Sequence, residues 1–147
     1  MFTTTDIFAG AWSDAVHISP PFEGYDVSLF WDDGGCAYMQ GSHAWRVQPG
    51  IWQYNIDLDT VTISNASVLW TGTGGLAPEG PHIYKKDGLH YLMIAEGGTG
   101  VGHMETMARS KDGVWGPYLP YDKNPVLTNA NTSEYREHQT HIRWYWR

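Results

Sequence analysis

The sequence predicts an all-β protein made of short antiparallel strands and tight turns, and three observations support this prediction. Residues that break regular structure are frequent, since 17 Gly and 8 Pro make up about 17% of the 147 residues, against roughly 12% in an average protein. Two segments have the pattern of a β-hairpin, and the same two segments repeat at a fixed spacing. Because long helices tolerate few glycines and prolines, the chain is expected to consist of strands and turns.

The two predicted hairpins each contain an aspartate–glycine turn. The segment "IYKKDGLHYLMIA" places Asp87-Gly88 between two runs rich in apolar and aromatic residues. The segment "SLFWDDGGCAYMQ" does the same around Asp33-Gly34-Gly35. Asp-Gly suits the positive φ angles of a two-residue hairpin turn. Both segments are therefore predicted to form antiparallel strand pairs.

The two hairpins superimpose at an offset of 53 residues. At this offset the following pairs coincide: Leu29 with His82, Phe30 with Ile83, Trp31 with Tyr84, Gly35 with Gly88, Tyr38 with Tyr91, and Met39 with Leu92. Extending the comparison towards the N-terminus places Asp26 on Glu79. Each hairpin is therefore preceded by an acid at the same position of its repeat.

A second similarity supports the period. Residues 3–12, "TTTDIFAGAW", match residues 109–118, "RSKDGVWGPY", at twice the offset. A period near 50 residues built from strands predicts a β-propeller with one four-stranded blade per repeat. Because equivalent positions on successive blades face one axis, Asp26 and Glu79 are expected to face a common cavity. Two unrelated hairpins with acids placed by chance remain the alternative.

The length of the chain accounts for only part of a propeller. At 53 residues per unit, 147 residues make fewer than three blades, whereas the smallest propellers have about four. The sequence therefore predicts two to three blades of a larger assembly.

Composition excludes several classes of function. The net charge of −7 argues against nucleic acid as a partner, because a basic face is expected there. No run of eighteen apolar residues occurs, so no membrane span is predicted. The N-terminus lacks the basic and apolar regions of a signal peptide. The sequons at Asn65 and Asn131 do not decide the compartment, which stays open.

Two other motifs favour structural interpretations. The stretch "GGTGVG" at 97–102 lacks the Lys-Ser/Thr of a phosphate loop and is interpreted as a turn between strands. His82, His90 and His103 lack the spacing of a zinc site, and neither a metal nor a cofactor is expected. Five acids in turn-like or alternating polar positions are expected to be solvated: Glu23, Asp32, Asp33, Asp57 and Asp59.

Four stretches carry a resemblance to a known family: "TTTDIFAGAWSDAVHI", "GYDVSLFWDDGGCAYMQGS", "APEGPHIYKKDGLHYLMIAEGGTGVGH" and "ARSKDGVWGPYLPYDKNPVLT", which together cover roughly residues 3 to 128. They resemble family 43 of the glycoside hydrolases, five-bladed propellers that include β-xylosidases and α-L-arabinofuranosidases. The resemblance implies a partial five-bladed propeller over residues 1–135, without the first blade and the C-terminal blades. A divergent tail is expected at residues 136–147.

The resemblance also implies roles for particular residues. The family cleaves glycosidic bonds with inversion and uses three acids. Its general acid, the Glu of "EGPH", falls on Glu79, and the Asp that orients this acid and modulates its pKa falls on Asp26, where Val27 replaces the usual Pro. The general base is an Asp of the first blade, and no residue of this chain corresponds to it. Tyr25, Thr99 and His103 match positions near the sugar.

Two classes of function remain open. One is a glycoside hydrolase that acts on β-xylosides or α-L-arabinofuranosides derived from xylan or arabinan, and that is inactive as this chain alone. The other is a carbohydrate-binding propeller fragment or pseudoenzyme, whose aromatic cavity holds a sugar without cleaving it. The two candidate acids favour the first, and the missing base favours the second. Both predict a small oligosaccharide as the partner, and the oligomeric state stays open.

Overall fold

The computed structural model describes residues 1–43, 48–100, 102–128 and 130. Within these ranges the chain forms nine strands and no helix. The strands make two antiparallel sheets, which confirms the predicted all-β class. No helix in the described ranges is long and apolar enough to cross a membrane. The predicted tail at 136–147 lies outside the described residues.

The first sheet is a meander of four strands, each antiparallel to the next: β1 (Gly24–Trp31), β2 (Ala37–His43), β3 (Ile51–Asp57) and β4 (Thr62–Trp70). The turn between β1 and β2 contains Asp33-Gly34-Gly35, as the sequence predicts. One repeat of the sequence therefore corresponds to one four-stranded blade.

The second sheet has five strands: β5 (Glu79–Lys86), β6 (Leu89–Glu96), β7 (Met104–Ser110), β8 (Leu119–Pro120) and β9 (Leu127–Thr128). The first four follow each other in order, and β9 also pairs with β7. Asp87 and Gly88 form the turn between β5 and β6, with φ angles of 51° and 77°. Two consecutive positive φ angles are typical of a type I′ hairpin turn, so the second hairpin prediction is also confirmed.

The repeat of 53 residues relates the two sheets in space as well as in sequence. Strand β1 packs beside β5, and two contacts join positions that are 53 residues apart. The Ser28 hydroxyl donates a hydrogen bond to the Pro81 carbonyl at 2.5 Å, and the Lys85 ammonium lies 2.5 Å from the Asp32 carboxylate. Both contacts show that β1 and β5, the first strands of the two blades, lie side by side with equivalent residues next to each other.

The main hydrophobic core lies between the two sheets. In β6 every second side chain is buried, and Leu92 and Ile94 are completely inaccessible. The core comprises Phe30, Ile51, Leu69, Trp70, Ile83, Leu92, Ile94, Ala108, Val114 and Tyr118, with Tyr38 packed against them. Burying this apolar surface is the main force that holds the blades together.

A smaller cluster lies on the other face of the first sheet. Met39, Ile56 and Ile63 are buried there, and Ile18 and Phe22 of the N-terminal segment pack against them. Residues 1–23 add no strand to this sheet, and Ser19 makes only an isolated bridge to Thr62.

The similarity between residues 3–12 and 109–118 reflects a turn rather than a strand. Residues 3–12 form no strand, and only the first two residues of 109–118 belong to β7. The matched glycines nevertheless share an unusual backbone, since φ is 70° at Gly10 and 86° at Gly116. Glycine adopts such angles without steric cost.

The prediction that Asp32 is solvated is wrong. Its carboxylate contacts Lys85, and the His90 Nε2 atom lies 3.2 Å from its second oxygen. The hydrogen bond from Lys85 lowers the pKa of the Asp32 carboxyl, and the Asp33 amide and His90 lower it further. The sequence pattern misses this contact because the partners belong to a neighbouring blade.

Candidate active site

Glu79 lies in a constrained backbone segment at the start of β5. Pro78 and Pro81 are buried, and Glu79 between them is half-buried. The neighbouring residues Ala77 and Gly80 have φ angles of 48° and 58°, a conformation that costs energy for alanine. The two proline rings restrict the backbone further, so the position of the Glu79 side chain is closely defined.

Asp26 occupies the equivalent position of β1, and both strands are irregular there. The pairing register shifts between Tyr25 and Ser28 in β1, and between Glu79 and His82 in β5. Asp26 itself has a φ of 53°, which aspartate tolerates better than most residues. Such bulges turn side chains out of the regular ladder and are frequent beside active sites.

A hydrogen bond connects Asp26 to the segment that carries Glu79. The Gly80 amide donates to the Asp26 Oδ2 atom at 3.0 Å. A second hydrogen bond joins the same strands, because the Ser28 hydroxyl donates to the carbonyl of Pro81, the residue after Gly80. The structure therefore brings the two candidate acids to the same end of adjacent strands.

Tyr25 belongs to the same cluster. Partial burial raises the pKa of the Tyr25 hydroxyl above its usual value, and the negative charges of Glu79 and then Asp26 raise it further. Tyr25 directly precedes Asp26 in β1. The tyrosine ring remains 36% exposed, so it is accessible to a ligand.

Thr99 and His103 lie in the turn between β6 and β7, at the same end of the second sheet as Glu79. The His103 Nδ1 atom donates to the Gly98 carbonyl at 2.6 Å, and Thr99 is exposed. Within the described ranges, neither side chain hydrogen-bonds to Asp26 or Glu79. Their proposed contact with a sugar therefore stays a prediction.

Sequence reasoning missed Glu96, a fully buried carboxylate at the end of β6. Its oxygens accept hydrogen bonds from Thr73, Gly75 and Thr106. The signal was available in the strand pattern, because Glu96 continues the alternation of the buried residues Leu92 and Ile94. The glycines that follow at 97–102 predict a turn between strands, and that prediction assigns no role to Glu96.

Glu105 of β7 is a second acid that sequence reasoning did not select. It pairs with Ala95, which in turn pairs with Glu79. Burial raises the pKa of the Glu105 carboxyl, while the charges of His82 and His103 lower it. Glu105 therefore adds a third carboxylate at this end of the second sheet.

A cavity of about 800 Å³ lies at the opposite end of the sheets. It is lined by the β1–β2 and β3–β4 turns and by Trp115, so it does not contain Asp26 or Glu79. The described part of the chain contains no group of three or more His, Cys, Asp or Glu residues that could hold a metal ion.

Comparison with known protein families shows where this chain belongs. The sequence model of the family "Glycosyl hydrolases family 43" matches residues 1–145. The chain belongs to this family. The family 43 match includes Asp26, Glu79 and most of the segment beyond residue 130.

Individual family 43 members show the same relationship. The chain is 38% identical to the non-reducing end alpha-L-arabinofuranosidase BoGH43B of Bacteroides ovatus, over 86% of this chain and 23% of that protein. It is also 38% identical to a xylan 1,3-beta-xylosidase of a Vibrio species, over 92% of this chain and 25% of that protein. The crystal structure of a xylan beta-1,4-xylosidase from Bacillus halodurans superimposes with a TM-score of 0.76 and 33% identity, over 84% of this chain and 24% of that one. The chain thus spans about a quarter of the length of the relatives it matches.

Proposed function

We propose that this chain carries the general-acid half of an inverting glycosidase active site. Glu79 acts as the acid, and Asp26 is the carboxylate that orients it. The observation that carries the proposal is the hydrogen bond of 3.0 Å from the Gly80 amide to the Asp26 Oδ2 atom. It links an acid of one blade to the backbone directly after the acid of the next blade.

The restricted backbone around Glu79 supports its proposed role in proton donation. A general acid must reach the leaving oxygen in a defined direction, and a displacement of about 1 Å can cost roughly a hundredfold in rate. The buried Pro78 and Pro81 on either side of Glu79 limit such displacement. Glu79 would protonate the glycosidic oxygen as the bond to the sugar breaks.

Asp26 acts on Glu79 in two ways. As an ionised carboxylate it accepts the Gly80 hydrogen bond, and so it fixes the backbone from which Glu79 projects. Its negative charge also favours the protonated form of a neighbouring carboxyl group. An acid that keeps its proton until the transition state is the form that protonates a leaving group.

The base that activates water must come from another blade. In an inverting site the acid and base carboxyls are about 6.5–9.5 Å apart, with the sugar and the water between them. No residue of this chain matches the general base of the family. Catalysis is therefore expected only when these two blades are part of a propeller that supplies the base.

The substrate class that we propose is a β-xyloside or an α-L-arabinofuranoside from xylan or arabinan. The relatives named above are arabinofuranosidases and xylosidases, which supports a pentose in the site. Tyr25, Thr99 and His103 are the proposed sugar contacts, because they lie at the same end of the sheets as Glu79. Binding without cleavage is the second candidate, favoured by the lack of a counterpart to the base.

The proposal is tested in a completed propeller, in which this chain is joined to the remaining blades of a family relative. The variant Glu79→Gln keeps the shape of the side chain but has no suitable proton. We expect it to lose about 10²–10⁴-fold in rate on a xylo-disaccharide and much less on an aryl xyloside with a good leaving group. Release of reducing sugar and of nitrophenol measures both rates. Glu23→Gln, which changes an exposed glutamate, is the matched control.

Unchanged disaccharide hydrolysis in Glu79→Gln would remove Glu79 from the mechanism. A completed propeller that binds xylo-oligosaccharides but hydrolyses none would favour the binding function instead.

A further inference from the structure

We propose that Glu96 is a positioning residue, which holds the linker between the two sheets (residues 71–78) and thereby places Glu79. The inference rests on the proposed role of Glu79 as the acid. It concerns a residue outside the cluster of Tyr25, Asp26 and Glu79, and it follows from the contacts of the Glu96 carboxylate.

Every polar contact of the Glu96 carboxylate comes from a hydrogen-bond donor. The Thr73 amide lies 2.9 Å and 3.0 Å from the two oxygens, and the Thr73 hydroxyl donates at 3.0 Å. The Gly75 amide donates at 3.0 Å, and the Thr106 hydroxyl of β7 donates at 2.5 Å. An ionised carboxylate is acceptor-only and can take all of these bonds at once. The linker is therefore wrapped around Glu96.

Two glycines allow the linker to approach this closely. A Cβ atom at Gly72, where φ is 80°, would lie 2.5 Å from the Glu96 Oε1 atom, and one at Gly75 would lie 3.0 Å from it. A Cβ atom at Gly74, where φ is 101°, would meet nothing within 4 Å. An alanine at 72 would therefore strain the backbone and displace the Glu96 carboxylate, whereas an alanine at 74 would only strain the backbone.

The anchored linker leads directly into the acid. After Gly75, the Leu76 carbonyl accepts a hydrogen bond of 2.7 Å from the Gly97 amide. Gly97 is the residue that follows Glu96. Ala77 and Pro78 are buried, and Glu79 follows. Because little backbone freedom remains between Gly75 and Glu79, a shift of the linker away from Glu96 would also displace Glu79.

Packing alone does not explain a carboxylate at this position. Burying a charge costs desolvation energy, and an apolar residue of similar size often stabilises a core as well or better. Hydrogen bonds to a carboxylate are strong and directional, and they fix orientation. The arrangement is therefore suited to holding the linker in one conformation.

The first test uses the 147-residue chain and hydrogen exchange. In Glu96→Gln the amide group presents its own donors to the Thr73 and Gly75 amides, so we expect exchange in 71–76 to become at least about tenfold faster. Gly72→Ala should have the same effect, and Gly74→Ala, which strains the backbone without a contact with Glu96, should have a smaller one. Exchange in β2 and β6 reports whether a variant remains folded. Unchanged exchange at 71–76 in both Glu96→Gln and Gly72→Ala would overturn the inference.

The second test uses the completed propeller and compares two substrates. A misplaced acid slows cleavage of a poor leaving group more than of a good one, whereas a general loss of folded protein slows both equally. In Glu96→Gln and Gly72→Ala, we expect the loss of hydrolysis rate to be about ten- to a hundredfold larger on the xylo-disaccharide than on the aryl xyloside. Glu23→Gln should keep the ratio of the parent, and Gly74→Ala should change it less than Gly72→Ala does. Equal losses on both substrates would contradict a positioning role.

The two proposals fail in different ways. If Glu79→Gln retains disaccharide hydrolysis, the proposed function fails, whatever the linker does. If Glu79→Gln is inactive but Glu96→Gln keeps the parent ratio, only the positioning role fails.

Discussion

The Oδ2 atom of Asp26 lies 3.0 Å from the amide nitrogen of Gly80, and this hydrogen bond joins two strands that are more than fifty residues apart in sequence. It places a carboxylate of the first blade against the residue that follows Glu79. Together with the hydrogen bond from Ser28 to Pro81, it fixes the position of β1 along β5. Two sequence repeats thereby contribute to one candidate site.

The charge and the hydrogen bond of Asp26 can be separated by two substitutions. In the completed propeller, Asp26→Asn keeps an oxygen that accepts from the Gly80 amide but removes the negative charge. Asp26→Ala removes both. We expect a loss of about tenfold to a hundredfold in disaccharide hydrolysis for Asn and a larger loss for Ala. The kcat/KM values on the disaccharide measure both losses, with Asp112→Asn as a control. Parent-like rates in both variants would rule out an orienting role.

The chain on its own is expected to show no appreciable turnover of aryl xylosides or aryl arabinosides. General acid–base assistance contributes about 10²–10⁴-fold, and the residues present supply no match to the family's base. Joining the remaining blades of a family relative should restore hydrolysis. Nitrophenol release from both proteins at equal concentration measures the difference. Robust turnover by the 147 residues alone would contradict the missing-base argument.

Stability should depend on pH through Asp32. Because Lys85 holds the pKa of the Asp32 carboxyl below its usual value, the ionised form stabilises the folded state. This contribution is present above the unfolded pKa of about 3.9 and is lost as pH falls through the lowered folded value. Asp32→Asn should therefore destabilise the chain at pH 7 and lose this effect towards pH 3. Urea denaturation across this range measures it, with the exposed Asp59→Asn as a control. A pH-independent difference would contradict this ion-pair origin.

Packing between the blades should depend on Leu92. This side chain is completely buried between the sheets, and Leu→Ala changes in such positions cost about 2–5 kcal/mol. Leu119→Ala, at a side chain that is 62% exposed, should change stability by no more than about 0.5 kcal/mol. Urea denaturation of both variants at pH 7 makes the comparison. Equal effects of the two substitutions would place the core elsewhere.

The sequence by itself determined the strands, the two hairpin turns and the repeat. These features are local, because Asp87-Gly88 requires a particular pair of backbone angles, and the alternation of apolar residues marks a strand with one buried face. The repeat extends this local information, since similar sequences form similar strand pairs. The repeat therefore places Asp26 and Glu79 at equivalent positions from the sequence alone.

Only the tertiary structure decided which side chains of different blades meet. The sequence pattern predicts a solvated turn residue at Asp32, because its partners Lys85 and His90 are distant in sequence. The sequence pattern also does not show that Glu96 accepts hydrogen bonds from the linker that follows the first blade. The physical reason is the same in both cases. The energy of a charged group depends on the donors and charges around it, and here a neighbouring blade or the linker supplies most of them.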